Sequence, residues 1–148
     1  MNKFSLVPLV LFTLLILSCD NKYLNETNVF NNYLNDNFHE KIPNDEHKYL
    51  LVGEFKCNGC VEKTFLEINK NVKDEKFNSV TIITYDLLIV PDSIENRTKV
   101  LLDENAMFER IGLSIANVTL VKTNNSKIVK IKVINLNEIE KVVYEEFN

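Results

Sequence analysis

Tyr49-Leu50-Leu51-Val52-Gly53-Glu54-Phe55-Lys56-Cys57-Asn58-Gly59-Cys60-Val61-Glu62 is the stretch whose reading decides the fold. Its first four residues form an unbroken apolar run of strand length, the pattern of a strand buried on both faces. Beyond the cysteines, Val61, Phe65, Ile68 and Val72 recur at helical spacing, with Glu62, Lys63, Glu67 and Lys70 off that stripe. Cys57 and Cys60 therefore stand where a strand gives way to a helix. Two thiols separated by two residues at a helix start can close into a small disulfide ring and reopen, the geometry of a dithiol redox centre. Cys57 is the expected attacking thiol and Cys60 the resolving one. The free N–H groups and macrodipole of the first turn favour a thiolate by about 0.3–1 kcal/mol. Lys56 adds to that preference, or is merely an exposed lysine. Glu54, at the strand's end, is either an aid to proton transfer or a solvated loop carboxylate.

Downstream, Ser79 to Tyr85 is rich in β-branched residues and reads as a central strand. Strand, helix and strand in that order make a βαβ unit with a right-handed crossover. Pro91 breaks the stretch from Asp86 to Lys99, where Asp92-Ser93 caps a short helix through Thr98. Asp103 is expected to cap a helix containing Ala106, Met107, Arg110 and Ile111, ended by Gly112. Val118 to Lys122 and Lys127 to Ile134 are strand-like runs joined by Thr123-Asn124-Asn125-Ser126, a hairpin signal. Asn135 with Glu138 resembles a capping box. Ile139, Val142, Val143 and Phe147 then mark the buried stripe of a final helix. Upstream, Val29, Phe30, Tyr33, Leu34 and Phe38 predict a helix from about Asn28 to Asn37 whose aromatic residues pack into a core. Pro43 stops its continuation.

The chain opens with Met1-Asn2-Lys3, runs apolar from Leu6 to Leu17 and reaches Ile16-Leu17-Ser18-Cys19. A short basic head, an apolar run too short to span a bilayer and a small residue before the break describe a secretory signal over residues 1–18. The four residues ending in Cys19 resemble the lipobox of bacterial lipoproteins, in which the signal is cut before the cysteine and that cysteine carries the lipid. The resemblance implies a tether over residues 19–27, a globular domain over 28–148 and attachment to the cell envelope outside the cytoplasm, on a periplasmic or surface face. With Cys19 lipidated, Cys57 and Cys60 are the remaining thiols, and each pairs with the other or with a partner's. Roughly 130 residues then remain, enough for one domain. The net charge of −4, with both signs interspersed, offers no basic face for nucleic acid. Gly53, Gly59 and Gly112 are scattered and form no phosphate-cradling loop. No cofactor is implied. Cys-x-x-Cys supplies only half a tetrahedral metal site, and His39 and His47 add no matching pair, so a thiophilic ion is the minor alternative.

The order strand, Cys-x-x-Cys, helix, strand, helix, β-hairpin, helix is that of the thioredoxin fold, an α/β architecture with a central mixed sheet flanked by helices. Val100-Leu101-Leu102-Asp103 through Ile111-Gly112-Leu113, followed by Thr119-Leu120-Val121 and Lys127-Ile128-Val129, resembles the TlpA/ResA type of membrane-tethered thioredoxin-like proteins. The resemblance implies an extracytoplasmic thiol–disulfide oxidoreductase acting on protein thiols and disulfides, with Cys57 as nucleophile and Cys60 as resolver. Where that family has Trp before the first cysteine and Pro before the second, this chain has Lys56 and Gly59. The family's cis-proline register lands on Asn117, with Val118 as the alternative. A non-proline cis bond costs about 2.5–4 kcal/mol, so a trans bond and a hydrogen-bonding Asn117 beside the sulfurs are expected. The rival expectation is a binding or scaffold lipoprotein that kept the fold without turnover.

Overall fold

An unbroken run such as Tyr49 to Val52 has no polar face to turn toward water, and the chain resolves this by placing it at the centre of a sheet. The computed structural model describes residues 22–53, 58–113 and 118–147. Strand β1 (His47–Val52) pairs in parallel with β2 (Val80–Thr84), which pairs in parallel with β3 (Lys99–Leu102). On its other side β1 pairs antiparallel with β4 (Val118–Asn124), and β4 with β5 (Lys127–Val133). The five strands lie in the order β3-β2-β1-β4-β5. Helices α1 (Leu24–Phe38), α2 (Asn58–Asn71) and α5 (Ile139–Phe147) flank them, with the single turns α3 (Asp74–Phe77) and α4 (Asp92–Glu95) in the connections. The fold is α/β, a mixed sheet flanked by helices in a thioredoxin-like arrangement.

Alternation along β1 divides the core in two. Leu50 and Val52 join Val61, Phe65 and Ile68 of α2 and Ile139, Val142 and Val143 of α5 on one face. Tyr49 and Leu51 join Phe30, Tyr33 and Leu34 of α1 on the other. The aromatic stripe of α1 is thus core, as expected: the Phe30 ring meets Tyr49 edge-on at 5.0 Å, and Tyr33 meets Phe38 edge-on at 5.6 Å. The stripes expected on α2 and α5 are buried as read. Glu67, off the α2 stripe, is buried too, its carboxylate accepting from Asn71 Nδ2 at 2.8 Å.

Several boundaries differ from the sequence reading, each for a local reason. Helix α1 begins at Leu24 rather than Asn28. Its first turn is held by Thr27, whose hydroxyl donates to the Tyr23 carbonyl at 2.6 Å and accepts from the Ile128 N–H at 3.0 Å. The 92–98 segment is helical only to Glu95, with Pro91 and not Asp92 at the N-cap. Thr98 is drawn instead to β2, its hydroxyl donating to the Val80 carbonyl at 2.6 Å. Val100 to Leu102 form a strand, and Asp103 does not cap a helix. Ala106 is left-handed, at φ 46°, and the chain beyond it makes only a single 3-10 turn, Met107–Glu109. The Asp103 carboxylate is buried, accepting from Tyr33 Oη at 2.9 Å and from the Phe108 N–H at 3.0 Å. Burial, then this hydrogen bond, hold the Tyr33 hydroxyl well above its ordinary pKa.

The hairpin turn is where expected, with both central residues left-handed: Asn125 at φ 50° and Ser126 at φ 57°. That is the primed turn whose twist matches flanking strands, and it favours glycine at the second position. Ser126 is held there because its Oγ donates to the Ile42 carbonyl at 3.1 Å and to Asn44 Oδ1 at 2.6 Å. The β4–β5 register shifts between Lys122 and Thr123, which face Lys130 and Ile128, so Val129 is the extra residue of a bulge.

Two of these contacts can be tested by substitution. Asp103→Ala leaves the Tyr33 hydroxyl and the Phe108 N–H without their acceptor and should lower unfolding free energy by about 2–4 kcal/mol. Asp103→Asn, which keeps an acceptor, should lose less in the same urea titration. The second concerns His47, whose Nε2 lies 2.9 Å from Thr81 Oγ1 and whose ring packs on Tyr49. Burial first, then the Lys48 and Lys99 charges, lower its pKa below the ordinary 6.5, with Glu40 opposing in part. A folded-state pKa below the unfolded one means that the unfolded chain binds the proton first. Stability should therefore be fully present above pH 6.5 and fall as pH drops below it. His47→Gln should flatten that slope; parallel profiles for the two proteins would count against the assignment.

Candidate functional site

The parallel strands fix where a reactive helix start must lie. The chain leaves β1 at Val52, and α2 returns it to β2, which begins opposite Lys48. The first turn of α2 therefore stands at the Val52 end of the sheet. The chain enters β4 at this same end, because Val118 lies opposite Val52.

Cys60 is the third residue of α2, 6% exposed, and disulfide-bonded. Its carbonyl accepts from Thr64 Oγ1 at 2.7 Å, and Thr64 is itself buried. Gly59 is exposed with open space around it. Of the other residues expected at the site, Glu54, Lys56, Cys57 and Asn117 lie outside the described residues, as does Cys19 and the signal over residues 1–18. Among the described residues, the structure thus places one member of the expected dithiol.

What the sequence reading missed is the apolar ground beside α2. An open groove of about 300 Å3 runs along the helix, lined by Glu62, Phe65, Leu66, Asn69, Ile89 and Pro91 among others. Leu66 is 63% exposed at its edge, and Leu88, in the 3-10 turn after β2, is 93% exposed. Leu87-Leu88-Ile89-Val90 is apolar throughout. The chain turns there because the Asp86 carboxylate accepts from the Leu88 N–H at 2.9 Å, capping a 3-10 turn. Of the four, Val90 is buried in the core and Ile89 packs against it partly buried, while Leu87 and Leu88 stay exposed.

The two histidines stand on other elements. His47 opens β1, at the end away from Val52, and His39 is the left-handed C-cap of α1. Among the described residues no three His, Cys, Asp or Glu side chains cluster as metal ligands do. No helix among them is long and apolar enough to cross a membrane.

Comparison of the chain with protein-family models, with curated proteins and with solved structures finds no match. The site is therefore defined by its own geometry: a covered, disulfide-bonded cysteine in the first turn of a helix, at the carboxyl end of parallel strands.

That geometry can be checked by counting thiols. In mature Cys19→Ala protein, iodoacetamide under non-reducing conditions should add nothing by mass spectrometry, and two adducts should appear after reduction. Cys60 should be the slower of the two to react, because its sulfur is covered. An adduct before reduction would show that Cys57 and Cys60 are not joined to each other.

Proposed function

We propose that this chain is a lipid-anchored thiol–disulfide oxidoreductase working outside the cytoplasm, as its resemblance to the TlpA/ResA type implies. The observation that carries the reading is Cys60, disulfide-bonded and buried in the first turn of α2 within a thioredoxin-like sheet. Cys57, two residues before Gly59, is its proposed partner. A disulfide closing so small a ring contributes little loop entropy to stability, so its value lies in chemistry.

The proposed cycle starts from the dithiol. The Cys57 thiolate attacks one sulfur of a partner disulfide, forming a mixed disulfide and expelling the partner's other sulfur as a thiolate. Cys60 loses its proton and attacks the Cys57 sulfur, so the partner leaves with two thiols and the domain with a Cys57–Cys60 disulfide. Two electrons have moved to the partner, and an external dithiol reductant must return them. Burial of Cys60 suits the resolving role, since a covered sulfur is reached by its neighbour more readily than by another protein. In this proposal Lys56 would favour the Cys57 thiolate by its charge and Glu54 would aid proton transfer, while a role for Asn117 as a hydrogen-bonding neighbour of the dithiol follows from the family register alone. The exposed Leu66 on α2 and Leu88 in the turn after β2 give apolar ground for the partner's residues flanking its cysteine.

Reduction of insulin by the reduced domain is the direct test. Cys57→Ser should abolish turnover, and Cys60→Ser should halt it at the mixed disulfide, isolating the partner covalently. Reduction by wild type no faster than by Cys57→Ser, both at background, would leave a binding lipoprotein without turnover. Cys19→Ala should release the protein from membranes into the soluble fraction.

A further inference from the structure

The start of α1 constrains how an anchored domain can stand. Lys22 is only three residues past Cys19, so fully extended chain separates their Cα atoms by at most about 11 Å. Helix α1 begins two residues later, at Leu24. Its first turn is not free to swing, because Thr27 accepts from the Ile128 N–H of β5 at 3.0 Å. The anchor thus issues from a fixed point beside the β4–β5 turn.

That turn is at the far end of the sheet from Cys60. Thr123 of β4 lies opposite His47, whereas Val118 lies opposite Val52. The two ends are a strand length apart, about 17 Å for β1. At the α1 end, Lys22, Tyr23, Leu24, Lys127 and Val129 surround an open hollow of about 370 Å3. Leu24 and Val129 are each 49% exposed, Val129 because the bulge turns it out of the ladder. Lys22 and Lys127 are exposed beside them, and the Lys22 ammonium sits 5.0 Å over the Tyr23 ring. Lys130, further along β5, is bonded to Glu146 and does not contribute. Lysines whose stems lie along aliphatic and tyrosyl surface are the side chains that settle at a lipid interface, ammonium among the phosphates and carbon below.

The geometry points to this end of the domain as a membrane-contacting surface. Lys22 and Lys127 donate to headgroup phosphates of the bilayer that holds Cys19, Leu24 and Val129 rest on it, and the Cys60 end faces away. The inference rests on the lipid-anchor reading and narrows the substrate class: the partner's disulfide belongs to a soluble protein or to an extramembrane part standing clear of the bilayer, not to a membrane-embedded segment.

The chain has no tryptophan, so a single introduced one reports its own surroundings. Mature protein with its disulfide oxidised can be coupled through Cys19 to a maleimide phospholipid. The vesicles are equimolar phosphatidylcholine and phosphatidylglycerol, with part of the phosphatidylcholine carrying a headgroup nitroxide quencher. Tryptophan at Val129→Trp should lose half or more of its emission, and at Leu88→Trp no more than uncoupled protein does. Leu24→Trp, held near the lipid by the anchor itself, is the positive control. Equal loss at 88 and 129, or greater loss at 88, overturns the orientation. Adding Lys22→Glu and Lys127→Glu should at least halve the loss at Val129→Trp, and an unchanged loss overturns the phosphate contact. Because the coupling is chemical, failure here is distinct from failure of Cys19→Ala to release the protein from membranes, which tests the anchor alone.

Discussion

Everything else in this molecule depends on β1 having partners on both edges and cover on both faces. Parallel pairing with β2 obliges the chain to cross back over the sheet, and α2 is that crossover. Antiparallel pairing with β4 closes the other edge and brings the entry to β4 alongside the exit from β1. A strand with apolar residues at consecutive positions tolerates nothing less, because any uncovered face would leave Tyr49 and Leu51, or Leu50 and Val52, against water at roughly 1.5–3 kcal/mol for each large side chain. The position of Cys60 is a by-product of that requirement. A crossover helix must start where its strand ends, and the cysteine is in its first turn.

The second layer is fastened by polar contacts, some of them buried. Asp103 receives the Tyr33 hydroxyl from α1 and the Phe108 N–H from the loop after β3 in one carboxylate oxygen. It thereby ties the helix on one face to the loop beyond the sheet's edge strand. At the opposite end Thr27 joins α1 to β5, and the Ser126 hydroxyl joins the hairpin turn to the Ile42–Asn44 segment. Arg97 acts similarly on the other face, its guanidinium 4.0 Å from the Phe77 ring and donating to the Val72 carbonyl at the end of α2. Buried polar groups that are satisfied in only one arrangement fix the register of elements that apolar packing alone would let slide.

These fastenings give the domain two unlike ends. One holds the disulfide-bonded cysteine, the groove along α2 and the exposed leucines. The other holds the start of α1, the hairpin turn and lysines beside aliphatic surface. Helix α1 crosses its face from the second end, at Thr27, to the first, at the Tyr33–Asp103 bond, and so couples them rigidly.

The sequence by itself determined the parts whose signal is local. The continuous apolar run of β1, the helical stripes of α2 and α5, the Asn125-Ser126 turn and the place of Cys60 at a helix start could all be read from neighbours along the chain, and with them the thioredoxin-like order. Only the tertiary structure decided the rest. Asp103 carries the signature of a helix cap, yet a tyrosine seventy positions away claims its carboxylate and Ala106 turns left-handed. Leu24 to Thr27 lie in a polar stretch with little helical pattern, and become helix because Thr27 finds β5. The stretch after β2 gives no clear pattern, and Leu88 is left exposed there because Asp86 caps a turn. In each case a partner distant in sequence, or a turn that redirects the backbone, outweighed a propensity worth under about 1 kcal/mol per residue, and a long-range contact leaves no trace in the local pattern.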